Sequence, residues 1–147
     1  MMLDRAFHIN RSLRLTALAL AVAALAPGQS RAANLTPLVS FNGTDGANPQ
    51  AGLIADANGN LFGTTFAGGA NGKGTVFEIA KTASGYATTP TILVSFCAQT
   101  NCADGALPEA GLIADANGNL FGTTVVGGAN DQGTVFEIGR ASCRERV

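Results

Sequence analysis

Histidine occurs once in this chain, at His8, and arginine is missing altogether from Ala33 to Ile138. The first absence removes any Ser-His or Cys-His pair for nucleophilic catalysis beyond the N-terminal segment. The second leaves only Lys73 and Lys81 as cations between Ala33 and Ile138. Against them stand Asp45, Asp56, Glu78, Asp104, Glu109, Asp115, Asp131 and Glu137, a net charge of −6. Nucleic-acid binding needs clustered lysine or arginine against phosphates, so no nucleic-acid partner is expected. Helical periodicity is lacking as well; between Ala33 and Ile138 no stretch repeats its apolar residues every three or four positions.

Long apolar runs are equally scarce. The single one, Leu15–Ala26, is 12 residues long, against the roughly 20 a helix needs to cross a bilayer. Arg5, Arg11 and Arg14 precede it, Pro27 and Gly28 break it, and Ser30-Arg31-Ala32 supplies small residues at the −3 and −1 positions of a cleavage site. That order is the order of a secretory signal. Residues 1–32 are therefore expected to be a signal peptide, and the chain to be exported to the extracellular space or the cell surface of a bacterium. At the other end Gly139–Val147 holds three arginines and Cys143 in nine residues. It resembles the conceptual translation of a sequencing adapter, and the expectation is a non-native tail.

What is present is a duplication. AGLIADANGNLFGTT occupies 51–65 and again 110–124, and GTVFEI occupies 74–79 and 133–138. The offset is 59 residues for these segments but 55 between Val39-Ser40-Phe41 and Val94-Ser95-Phe96. Four extra residues therefore fall between Phe96 and Asp104. Two units result, 33–86 with a leading strand at Leu35–Phe41, and 87–138. A period this long exceeds a solenoid rung and approaches a four-stranded propeller blade. Within a unit, strands are expected at Gly52–Asp56, Asn60–Phe66, Thr75–Ile79 and Thr89–Phe96, where β-branched and aromatic residues gather. Asn58-Gly59 predicts a type I′ hairpin turn. The fold class is all-β: propeller-like tandem repeats of about four short antiparallel strands.

Leu61–Thr65, Gly68-Gly69 and Gly74–Ile79, repeated at Leu120–Thr124, Gly127-Gly128 and Gly133–Ile138, resemble the motif of the secreted bacterial tandem-repeat family called GloVer, a "choice-of-anchor" family. The resemblance covers nearly all of 38–138. It implies an exported, surface-anchored array with no assigned activity, attached to the cell envelope through a C-terminal anchor that this sequence lacks. Two units do not close a propeller ring, so the chain is expected to expose open sheet faces and to self-associate.

Candidate sites are few. Asp56, Asn58 and Asn60, with Asp115, Asn117 and Asn119, have the D-x-N-x-N spacing by which alternate oxygens wrap calcium. The sixth place, though, is Leu61 or Leu120, no acid follows, and the same letters suit a hairpin turn. Calcium is thus the single cofactor to weigh. GGANGKG at 68–74 lacks the GKS or GKT ending of a phosphate loop, and its Gly72-Lys73 becomes Asp131-Gln132 in the second unit. Cys97 and Cys102 lie in the insertion. In an exported protein they are expected to form a disulfide, contributing about 2 kcal/mol for so short a loop; zinc would need two more ligands. Repeated carboxylates (Asp45/Asp104, Glu78/Glu137) and threonines (Thr64-Thr65, Thr123-Thr124) behave as structural positions do, and Glu109 and Asp131 stand alone. A structural or binding role is favoured; the alternative is a fragment of a lactonase- or lyase-like propeller enzyme with its site elsewhere.

Overall fold

The computed structural model describes residues 33–139. The signal segment, and the tail apart from Gly139, lie outside the described residues. Nine strands follow in order: β1 (Ile54–Ala55), β2 (Leu61–Thr65), β3 (Thr75–Ile79), β4 (Lys81–Thr82), β5 (Gly85–Tyr86), β6 (Thr91–Ser95), β7 (Ile113–Ala114), β8 (Leu120–Thr123) and β9 (Val135–Ile138). Strands β1-β2-β3-β6 form one antiparallel sheet and β7-β8-β9 another, while β4 and β5 make a separate hairpin. Among the described residues the fold is all-β, with one 3-10 turn at Thr100–Cys102. In both larger sheets strands pair in chain order, except that β6 returns to β3 across the β4–β5 hairpin.

Three sequence expectations are corrected in detail. Leu35–Phe41 is not a strand. The link from β3 to β6 is not a simple turn at Ser84-Gly85 but carries the β4–β5 hairpin, in which Lys81 pairs with Tyr86 and Thr82 with Gly85. The Lys81 ammonium lies 4.2 Å from the Tyr86 ring centre, a cation–π contact that suits an exposed two-rung hairpin. The Asn-Gly turn is not type I′ either. Of Ala57, Asn58 and Gly59 only Gly59 has positive φ, at 82°. The Gly59 N–H donates to Asp56 O at 3.0 Å and the Asp56 N–H to Asn60 O at 3.0 Å. This is the three-residue loop in which a type I turn is followed by a left-handed glycine.

Pairing registers fix which residues share a face. In the first sheet Phe62 stands opposite Glu78 and Thr64 opposite Val76, while Ile54 faces Phe62 and Val76 faces Val94. These residues form an inner face. Leu61, Gly63, Phe77 and Ile79 form the outer one, because successive side chains alternate across a sheet. The second sheet repeats the division, with Ile113, Phe121, Thr123 and Val135 on one face and Leu120, Gly122, Phe136 and Ile138 on the other.

The two sheets pack unlike face to unlike face. One core cluster joins Phe62 and Val76 of the first inner face with Leu120 and Ile138 of the second outer face, together with Phe96 and Leu112. Thr64 Oγ1 donates to Ala110 O across the joint at 3.2 Å, and the Leu107 N–H donates to Lys73 O at 2.8 Å. This cluster therefore lies between the repeats, while Phe77 and Ile79 are buried on the other face of the first sheet. A sheet of three or four short strands has too little material for a core of its own, so it must borrow a face from its neighbour.

Each sheet also takes a phenylalanine from the chain before it. Phe96, just after β6, lies edge-on to Phe136 of β9 with ring centres 5.1 Å apart. Phe41 meets Phe77 of β3 in the same way at 4.9 Å. The leading segment thus supplies the first sheet with the ring that the end of β6 supplies to the second, although only the latter follows a strand. Edge-to-face pairs of this kind add about 0.5–1.5 kcal/mol beyond the area they bury.

The cleft between the repeats as candidate functional site

The glycine loop after β2 is built by backbone need. Gly69 N–H donates to Gly43 O at 2.9 Å, and in the second repeat Gly128 N–H donates to Cys102 O at 2.9 Å. The loop also holds the end of β6: the Phe96 N–H donates to Gly74 O at 3.0 Å, and Asn71 Nδ2 donates to Phe96 O at 3.0 Å. Below it Thr65 Oγ1 and Thr75 Oγ1 share a buried hydrogen bond of 2.8 Å, matched by Thr124 and Thr134 at 2.9 Å. These threonines are spent on holding the strands at the loop. The loop's carboxylate behaves likewise, since Asp131 Oδ1 accepts the Gly127 N–H at 2.9 Å.

Cys97 and Cys102 are joined by a disulfide, with Cα atoms 4.0 Å apart. In the first repeat Asn42 stands where Cys97 stands in the second. Its Oδ1 accepts the Thr44 N–H at 2.9 Å, and its N–H donates to Asp45 Oδ1 at 2.9 Å. In the longer loop Asp104 keeps the acceptor role, taking the Ala98 and Gln99 N–H groups at 2.9 and 3.2 Å. The covalent link replaces a side-chain turn where four more residues have to be ordered.

At one end of the sheet pair the two Asp-x-Asn-x-Asn turns and the sheet floor enclose a cleft of about 380 Å³. Its walls carry Asp56, Asp115 and Glu78, and Ile54, Phe62 and Leu120 form the floor. Asp56 Oδ1 accepts the N–H groups of Asn58 and Asn60 at 2.9 and 2.8 Å, and Oδ2 accepts Asn60 Nδ2 at 3.0 Å. Asn60 Oδ1 in turn accepts the Lys81 N–H at 2.8 Å, which ties the turn to β4. Asp115 accepts from Asn117 and Asn119 with nearly the same geometry, 2.9, 2.8 and 2.8 Å. Desolvation opposes ionisation of Asp115, but the hydrogen bonds from Asn119 and Asn117 outweigh it and hold its carboxyl below the usual range. The six residues read as calcium candidates are thus brought to one end of the molecule as two Asx turns. Among the described residues no group of three carboxylates, cysteines or histidines is placed to hold a metal ion.

Glu78 is the carboxylate on the cleft floor's own sheet. Burial raises its pKa above the ordinary glutamate value, and the charge of Asp56 adds to the effect. Sequence pattern gave no sign of this. Glu78 is the polar member of an alternating strand, and only the packing of a second repeat over that face makes its position costly. The folded-state pKa is raised, so ionisation reduces stability as pH climbs through the interval between the unfolded and folded values. Glu78→Gln is therefore expected to melt higher than the parent at neutral pH, by less than about 1 kcal/mol for so hydrated a group. The difference should vanish below the usual glutamate pKa. A stability difference between variant and parent that is no larger at pH 7 than at pH 3.5 would rule out this account.

In chemical terms the cleft presents an apolar floor and carboxylates largely committed to their own turns. Its aspartates and asparagines recur in both repeats, and each aspartate is taken up by the N–H groups of its own turn. The model of the Gloeobacter/Verrucomicrobia repeat matches residues 25–145. No curated protein and no solved structure matches the chain.

Proposed function

This chain belongs to the Gloeobacter/Verrucomicrobia repeat family, and from that premise we propose that it is a non-catalytic repeat module, exported to a bacterial cell surface, with a structural or binding role. The observation that carries the proposal is that equivalent residues do equivalent structural work in both repeats. Asp56 and Asp115 close turns, Thr65–Thr75 and Thr124–Thr134 pin strands, and Phe77 and Phe136 each receive a ring. Repetition of this sort serves assembly, while catalysis asks for a site that differs from its surroundings. A four-stranded and a three-stranded antiparallel sheet stacked through unlike faces support a propeller-like array as the form it takes. Export rests on the Arg-flanked apolar run and small-residue junction ahead of Ala33.

The test has two arms. Expressed in a bacterial host, the chain is expected outside the cytoplasm with a new N-terminus at Ala33, found by N-terminal sequencing. An uncleaved cytoplasmic product would remove the export half of the proposal. Thermal melts with excess calcium and with chelator are expected to superimpose, because the turn carboxylates already accept backbone N–H groups. A calcium-dependent rise in melting temperature would restore the cation reading of Asp56 and Asp115.

A further inference from the structure

The first sheet has a fourth strand and the second, among the described residues, has none. On β3 that place is filled by β6, with Thr75 opposite Ser95, Val76 opposite Val94, Phe77 opposite Ile92 and Glu78 opposite Thr91. β9 repeats the letters of β3 but ends its sheet, in the order β7-β8-β9. Its second edge therefore carries backbone groups with no strand beside them. Gly74 O accepts the Phe96 N–H at 3.0 Å, while no described N–H donates to its counterpart, Gly133 O. A spare strand of the matching kind precedes the first repeat. Residues 36–41 read TPLVSF and 91–96 read TILVSF, so five letters of six agree. Yet 35–41 is not a strand, and its backbone makes no hydrogen bond with the described residues. Leu35 is 94% exposed. Pro37 is the one departure from the match, and an edge strand admits proline.

We propose that residues 36–40 of one copy of this chain add to the free edge of β9 in a second copy, as its fourth strand. The register is copied from β3 and β6, with Ser40 opposite Thr134, Val39 opposite Val135 and Thr36 opposite Glu137. Main-chain hydrogen bonds hold an added strand of this kind, and alternate side chains set its place. The donor belongs to another copy because of where it is held. Phe41 rests on Phe77, on the outer face of the first sheet, whereas the second sheet packs against the inner one. Its own β9 thus lies across the first sheet from it. The pairing uses the backbone of 36–40 and asks nothing of the outer face itself, where Phe77 and Ile79 are already buried. Donor and acceptor are different parts of the chain, so copies add head to tail. The inference concerns backbone pairing alone and stands whether or not the chain is exported.

Sedimentation velocity over a wide concentration range tests it, with Val39→Pro as the variant. The proline removes an N–H that the added strand needs and the free chain leaves unbonded, so the melt by circular dichroism is expected to be unchanged. The parent is expected to form species larger than a monomer as concentration rises, and Val39→Pro to lose them. A fluorescent peptide with the sequence of residues 34–42 is expected to bind the Val39→Pro chain, whose β9 edge is intact. The same peptide with proline in place of Val39 is expected not to bind. Hydrogen exchange locates the pairing. The Thr124 N–H donates to Thr134 O, so by alternation the Val135 and Glu137 N–H groups turn away from β8. Their exchange is expected to slow when the peptide binds. A parent that stays monomeric at every concentration overturns the proposal. So does assembly that survives Val39→Pro, a peptide that does not bind, or binding that leaves the Val135 and Glu137 amides exchanging as before. If Val39→Pro does not fold, competition by excess peptide against assembly of the parent decides in its place, and assembly that persists overturns the proposal.

Discussion

Val76→Asp is expected to unfold the chain, whereas the same substitution at Val135 leaves the melting curve of a dilute sample essentially where it was. The two valines hold the same place in the repeat, in the same TVFEI segment, and sequence alone gives no reason to separate them. Their surroundings do. Val76 is fully buried against the second repeat and Val135 is mostly exposed. At Val76 the change gives up the burial of an aliphatic side chain, about 1.5–3 kcal/mol. It also drives a carboxylate into an apolar joint with no cation among the cluster residues, which costs several kcal/mol more or forces protonation. The sum approaches the whole stability of a domain this size, about 5–15 kcal/mol. Urea or thermal unfolding followed by circular dichroism provides the measurement. Equal effects at the two positions would mean that the first inner face is not covered as described.

Gly74→Ala is expected to cost about 3 kcal/mol or more, while Gly72→Asp stays within about 0.5 kcal/mol of the parent. Both glycines belong to one loop and both have positive φ, 97° at Gly74 and 70° at Gly72. A Cβ at Gly74 would lie 2.5 Å from Thr65 O and 2.6 Å from Pro108 Cδ, so strain in the left-handed region is joined by collision with backbone and with the neighbouring repeat. Relieving that collision means moving a residue whose N–H donates to Gly68 O and whose carbonyl accepts the Phe96 N–H, both at 3.0 Å. At Gly72 a Cβ meets nothing within 4 Å. The second repeat already holds Asp131 at that place with φ 55°, and aspartate is one of the few residues that tolerate it. Chemical denaturation of the two variants side by side decides the matter. A mild Gly74→Ala would show that the loop yields, and that its contact with Pro108 carries little.

These contrasts mark what could be read from the letters. Strands β2 and β3 lie within Asn60–Phe66 and at Thr75–Ile79, where the pattern put them, because aromatic and β-branched residues alternate there between Asn-Gly and the glycine loop. The all-β class and the family were legible for the same reason. The β4–β5 hairpin was not, since two-residue strands leave no period to detect; Lys81 is placed by its N–H on Asn60 and its ammonium over Tyr86. The turn type differs from the Asn-Gly expectation because Asp56 binds the Asn58 and Asn60 N–H groups and leaves the positive φ to Gly59 alone. The cleft and the raised Glu78 pKa were invisible, because they exist only where one repeat covers another. Identical letters at 54–65 and 113–124, and at 74–79 and 133–138, could not say which copy is buried.

The ring that Phe96 extends into the second sheet, and Phe41 into the first, sets the boundary of the folding unit apart from the boundary of the sequence repeat. A cut made between Tyr86 and Ala87 respects the alignment and leaves Phe96 with the second sheet, but strips the first sheet of its fourth strand, β6. Lengthening such an array by whole periods would copy the hand-over intact wherever the break is made, so new units would arrive already fitted to their neighbours. The one place where the period slips, from 55 to 59 residues, lies just past the hand-over ring and is tied off by Cys97–Cys102. Length can vary there because the ring has already been delivered, and the four added residues loop outward without shifting any strand that follows.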